Sequence, residues 1–137
     1  MAVTFHTTYL GDLRTEMVHG PSGTKVLTDA PVDNHGKGEA FSPTDLVASA
    51  VGSCMMTIMG IVAKRDGLHL EGTTIAIEKH MTAEPPRKIA KIVVNFTMAP
   101  GIPVDQQAKL ERAAHTCPVA LSLHPEVQQI VHFTWGE

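Results

Sequence analysis

The chain has 137 residues and a mass of 14.7 kDa, with eleven basic against fourteen acidic residues and a formal net charge of −3. That length predicts one domain over residues 1–137, and the lack of any concentrated positive charge argues against a nucleic-acid or anionic-membrane surface. Aromatic residues make up only 4%, so aliphatic side chains and seven methionines must fill the core; the two cysteines, Cys54 and Cys117, are too few for a disulfide framework but enough for redox chemistry.

Residues 1–11 are polar and alternating, without the basic start and apolar stretch of a targeting segment. Residues 3–10 and 24–28 read as strands, with a weaker strand at 13–19 and a turn at Pro21-Ser22-Gly23. A Gly- and Pro-rich loop, 29–41, leads to a strong helix start: Ser42 as N-cap, Pro43 in the first helical position and Asp45 as the capping-box acid. The helix is expected to run to Arg65 and to stop at Asp66-Gly67. Its stretch 46–63 carries no charge, which by length touches the threshold for a membrane span of roughly 18–20 residues. Seven Ala, Ser and Gly residues lower its hydropathy and no aromatic anchors flank it, so it is read as a buried core helix. A helix apolar on nearly all sides must be covered on nearly all sides, which in a small protein points to a second chain.

Residues 72–83 and 88–98 alternate around a turn at Glu84-Pro85-Pro86-Arg87, predicting an antiparallel hairpin with Ile75, Ile77, Met81, Ile92, Val94, Phe96 and Met98 facing inward. A second helix is expected over 104–116, stopped by Cys117-Pro118, then a helical turn at 118–123 and a last strand at 127–135. The order predicts an α+β protein with a largely antiparallel sheet.

Cys54 lies in the middle of the long helix and Cys117 at the end of the second, each on a stripe whose near neighbours include alanine. Two such stripes can pack closely and bring the sulfurs together; equally, free cysteines are common as inert core residues. Cys117 also precedes a proline that can open a helical turn, a position that stabilises a thiolate. Cys54, at mid-helix, would need a cation, with Arg14, Arg112, Lys64 and the histidines as candidates. The eight histidines lack paired metal-ligand spacing, and Gly36-Lys37-Gly38 lacks the rest of a phosphate loop.

Ser42-Pro43-Thr44-Asp45-Leu46, leading through a small-residue helix to Cys54, resembles the first cysteine motif of the OsmC/Ohr family. Ala114-His115-Thr116-Cys117-Pro118-Val119 resembles the second, and Thr28-Asp29-Ala30-Pro31 with Phe41-Ser42-Pro43 is similar to the OsmC-like branch. The resemblance implies an OsmC-like fold: an intertwined α+β homodimer with a long central helix buried between sheets and a second, cysteine-bearing helix. It implies a cytoplasmic thiol-dependent peroxidase acting on organic hydroperoxides, without metal or other cofactor. Cys54 would be the attacking thiolate, Cys117 the resolving thiol, and an external dithiol, which in the family can be dihydrolipoamide or a lipoylated protein, the reductant. Arg14 would stabilise the thiolate. Many members carry a glutamate ten residues before the first cysteine to orient that arginine; here the position is Thr44. Asp45 is rotated by about 100° around the helix, which leaves Glu39, in the preceding loop, as the better substitute. The alternative implied by Thr44 is a non-peroxidatic dimer that binds a small apolar or electrophilic ligand, with the cysteines as sensor thiols.

Overall fold

The computed structural model describes residues 2–136. It divides into two compact units, Met1–Val47 and Ala48–Glu137. The first unit is a three-stranded antiparallel sheet in the order β1-β2-β3, with β1 at Phe5–Gly11, β2 at Arg14–His19 and β3 at Lys25–Asp29. The strand expected to be weak, 13–19, is its central member. Asp12 and Leu13 turn the first hairpin with φ of 52° and 62°, the mirror-image turn whose twist suits adjoining strands. This turn and the β2–β3 pairing fix the register that sets Arg14 opposite Asp29.

The loop expected at 29–41 contains one 3-10 turn, Val32–Asn34, and folds back onto its own start. Gly36 donates its N–H to the Pro31 carbonyl and Gly38 donates to that of Ala30. A Cβ at Gly36 would lie 1.8 Å from the Ala30 carbonyl oxygen, so only glycine permits this return. Helix α1, Pro43–Arg65, then begins on the expected cap. Ser42 Oγ accepts the Asp45 N–H at 3.1 Å while the Asp45 carboxylate accepts the Ser42 N–H at 2.9 Å, a reciprocal capping box. At the other end Leu68 N–H bonds back to the Ala63 carbonyl around Gly67, whose φ is +71°.

The second unit builds its core on α1 and a second sheet. Strands β4, Thr74–Met81, and β5, Ile89–Thr97, form the predicted hairpin. Ile92, Val94, Phe96 and Met98 are buried, as the alternation requires. Along α1, Ala48, Val51, Gly52, Met55, Met59 and Ala63 make one buried stripe, while Ile61 stays 61% exposed. By length and composition α1 could cross a membrane, yet its stripe packs into the same hydrophobic cluster as β5. The prediction of a helix covered on all sides therefore holds for one face of it within the chain.

The strand pairing is largely antiparallel, as expected, and the last strand is the exception. β6, Gln128–Thr134, pairs parallel to β5, giving the order β4-β5-β6. A parallel pair needs a crossover, and helices α2, Val104–Ala114, and α3, Pro118–Ser122, provide it. The second helix ends two residues earlier than expected because Thr116 turns its N–H and its hydroxyl onto the Ala113 carbonyl.

Candidate functional site

The second unit joins the two cysteines. Cys54 sits on α1 at the rim of the buried stripe, packed against the core but half-buried, whereas Cys117 is wholly buried. Their side chains are neighbours in the fold although the residues are 63 positions apart in the chain: Cys54 packs against the buried cluster that contains Cys117, and its proximity raises the Cys117 thiol. Cys117 does not close the second helix as expected; it stands beyond the end of α2 as the N-cap of α3. Its sulfur accepts the Ala120 N–H at 3.4 Å and lies 3.8 Å from the Val51 carbonyl oxygen, one turn before Cys54 on α1.

This position reverses the electrostatic expectation for Cys117. The N–H groups of Ala120 and Val119 favour its thiolate, but burial disfavours that charge more strongly, and proximity to Cys54 adds to the same effect. The Cys117 thiol is therefore pushed up from its ordinary value and held neutral. One thiol of the pair is partly accessible from outside and the other is an enclosed proton-bearing partner.

The first unit holds Arg14 in a carboxylate clamp. Arg14 Nε and Nη2 donate to Asp29 Oδ1 and Oδ2 at 2.7 and 2.9 Å, a bidentate pair, and Nη2 also donates to Glu39 Oε2 at 3.1 Å. The Asp29 carboxylate is fully buried, the Arg14 side chain 28% exposed and the Glu39 side chain 66% exposed. Asp29 further accepts the Glu39 backbone N–H at 3.0 Å. The guanidinium holds the Asp29 carboxyl below its ordinary value and is itself raised by the two acids. A buried carboxylate demands such a partner, because an unpaired one would cost several kcal/mol, on the order of that for any unpaired buried charge.

Glu39 thus reaches Arg14 as expected, through the glycine-tightened loop, but it is the lesser contact. Asp29 is the principal partner, and the sequence reading passed over it. The signal was present: Arg14 and Asp29 are opposite charges that face one another once β2 and β3 are aligned through Thr15↔Thr28. Thr44 approaches Ser42 Oγ at 3.2 Å, and the Asp45 carboxylate accepts the Ser42 N–H in the helix cap. Arg112 and Lys64, the other cations considered, are exposed. Among the described residues no group of three or more His, Cys, Asp or Glu side chains could hold a metal ion.

A family model described as OsmC-like protein matches residues 36–131. A candidate osmotic stress induced and detoxification response protein from Psychrobacter arcticus 273-4 is 43% identical, with a TM-score of 0.92 over 98% of this chain and 97% of that one. An organic hydroperoxide resistance protein OsmC from Legionella pneumophila is 19% identical, with a TM-score of 0.74 over 96% of each chain. An organic hydroperoxide resistance protein from Elizabethkingia anophelis is 14% identical, with a TM-score of 0.74 over 98% of this chain and 97% of that one; at these identities the likeness is one of fold. No curated protein sequence matches the chain.

Proposed function

Because the chain belongs to the OsmC-like protein family, we propose that it is a thiol-dependent peroxidase that reduces organic hydroperoxides. The observation that carries the reading is the nearness of a half-buried and a fully buried thiol that are distant in sequence, with the Cys117 sulfur seated on the Val51 carbonyl one turn before Cys54. The Cys54 thiolate attacks the terminal oxygen of the hydroperoxide, the O–O bond breaks and the alkoxide leaves, taking a proton to become the alcohol. Cys54 is then a sulfenic acid. The Cys117 sulfur attacks the Cys54 sulfur, forming the disulfide, and its proton leaves with the hydroxide as water. An external dithiol, such as dihydrolipoamide or the lipoyl group of a protein, returns both cysteines to thiols and becomes a disulfide itself.

The neutral state of Cys117 supports this division of roles. An enclosed thiol that keeps its proton does not compete for the oxidant, and it brings that proton to the step in which water leaves. Arg14 is proposed as the cation that stabilises the attacking thiolate and the departing oxyanion. Its guanidinium is preset by Asp29 rather than free to wander, so little order remains to be imposed during the reaction.

A homodimer is part of the proposal. Exposed Ile61 and Val47 on α1, and exposed Phe5, Tyr9 and Val26 on the first sheet, are apolar surfaces of the kind a second copy covers. The cytoplasm is the proposed site of action, since its reducing poise keeps both cysteines as thiols between turnovers. The test is one equivalent of cumene hydroperoxide added to the fully reduced chain, followed by non-reducing peptide mapping. A Cys54–Cys117 disulfide is expected, with no hydroperoxide consumed by Cys54→Ser. Two free thiols after full exposure to the oxidant would end the peroxidase reading.

A further inference from the structure

We propose that Asp29, at the end of β3, is the residue that positions Arg14 for the thiol chemistry, with Glu39 a secondary contact; what Arg14 does for Cys54 rests on the peroxidase reading. Three observations converge on Asp29. Its two oxygens take two different nitrogens of the guanidinium, which fixes the plane of the group as well as its place. The carboxylate is wholly buried and is itself anchored by the Glu39 N–H, so it cannot swing away with solvent. The pairing is also written into the sheet, because Arg14 and Asp29 are register partners of β2 and β3.

Glu39 lacks all three properties. It makes a single 3.1 Å contact from a side chain that is two-thirds exposed, where water and salt screen the attraction. The division of labour leaves the arginine useful. Asp29 takes Nε and one edge of Nη2, and among the described residues Nη1 makes no hydrogen bond. A guanidinium held by one side presents its remaining N–H groups in a fixed direction. The arginine is therefore set by the pairing of β2 with β3.

The experiment measures iodoacetamide alkylation of Cys54 by peptide mass mapping across pH, in the full-length chain and four variants. Asp29→Asn and Arg14→Ala should slow alkylation at neutral pH alike, by about tenfold, the size expected when a close opposite charge is removed or misplaced. Both should move the pH–rate profile to higher pH, and Asp29→Glu should recover part of the loss. The double variant Arg14→Ala/Asp29→Asn should be no slower than Arg14→Ala alone, because Asp29 acts through Arg14. Glu39→Gln should lose no more than about threefold, as for an exposed ion pair. A merely structural Asp29 would lower the melting temperature without moving the pH profile, and that result overturns the proposal. So does an unchanged Asp29→Asn, an additive double variant, or an Arg14→Ala without effect. Should Asp29→Asn not fold, Glu39→Gln decides: a loss equal to that of Arg14→Ala gives the positioning role to Glu39, and a small loss keeps it with Asp29. The peroxidase reading is judged apart from this, by the hydroperoxide-driven disulfide in the unmodified chain. If that disulfide fails to form while the alkylation effects hold, peroxidase activity falls and the Asp29 assignment stands.

Discussion

Oxidising Cys54 and Cys117 to a disulfide is expected to stabilise the fold by about 2–4 kcal/mol. The cysteines are 63 positions apart. Cross-linking a loop of that length removes about 4 kcal/mol of chain entropy from the unfolded state. Two native interactions oppose the gain. The Cys117 sulfur caps α3 by accepting the Ala120 N–H, and weakening a cap costs about 1 kcal/mol. The approach to the Val51 carbonyl, at 3.8 Å, is a weak thiol bond whose loss costs less. Cys117 is enclosed on all sides, so the movement needed to reach bonding distance falls to the half-buried Cys54. Because the Cys117 sulfur already sits against the turn of α1 that precedes Cys54, that movement is expected to be small and strain should not consume the gain. The assay is thermal denaturation of the chain after one equivalent of hydroperoxide, against the same chain kept in excess dithiol. Protein concentration must be equal in both, since association makes the midpoint concentration-dependent. For a chain of this length a gain of about 3 kcal/mol raises the midpoint by roughly 10 °C. An oxidised form that melts at or below the reduced one would refute the reasoning, for it would mean that the native fold does not hold the sulfurs ready to bond.

In Cys117→Ser the reaction should stop at the Cys54 sulfenic acid, consuming one equivalent of hydroperoxide and no more; dimedone labelling of Cys54 measures it, and sustained turnover with dithiol would remove Cys117 from the resolving role. The Asp29 carboxyl is held below its ordinary value, so on acidification the unfolded chain takes the proton first. Its contribution is fully present above about pH 5 and is lost as the pH falls below about 4 toward the folded value, which urea titrations at stepped pH should show as a falling midpoint; Asp66, paired with Lys109 and Arg65, acts with the same sign. A midpoint that does not fall between pH 5 and pH 3 would contradict both. Gly52→Val should destabilise by about 2–3 kcal/mol through overpacking. A Cβ there already meets Ile77 Cδ1 at 2.7 Å and Ile75 Cγ2 at 3.3 Å, and the second branch of valine has no free space against those strands. An unchanged denaturation midpoint would show that Ile75 and Ile77 repack freely.

Much of this protein is written in local sequence. The capping box at Ser42 and Asp45, the stop at Gly67 and the inward residues Ile92, Val94, Phe96 and Met98 follow from hydrogen-bonding capacity and period, which are properties of neighbouring residues. The cysteine motifs also named the two thiols in advance. Three matters lay beyond local pattern. The parallel placement of β6 depended on where α2 and α3 returned the chain, a choice that no residue in 127–135 encodes alone. The state of Cys117 was set by competition: the helix N-terminus favours the thiolate, and tertiary enclosure, invisible to the motif, overrides it. Arg14 found its principal partner in Asp29, fifteen residues on, because strand register brought opposite charges together where burial makes pairing obligatory. Sequence by itself determined the candidates for the chemistry; the tertiary structure decided which of them are buried, neutral or clamped, because those states depend on distance and on exclusion from water.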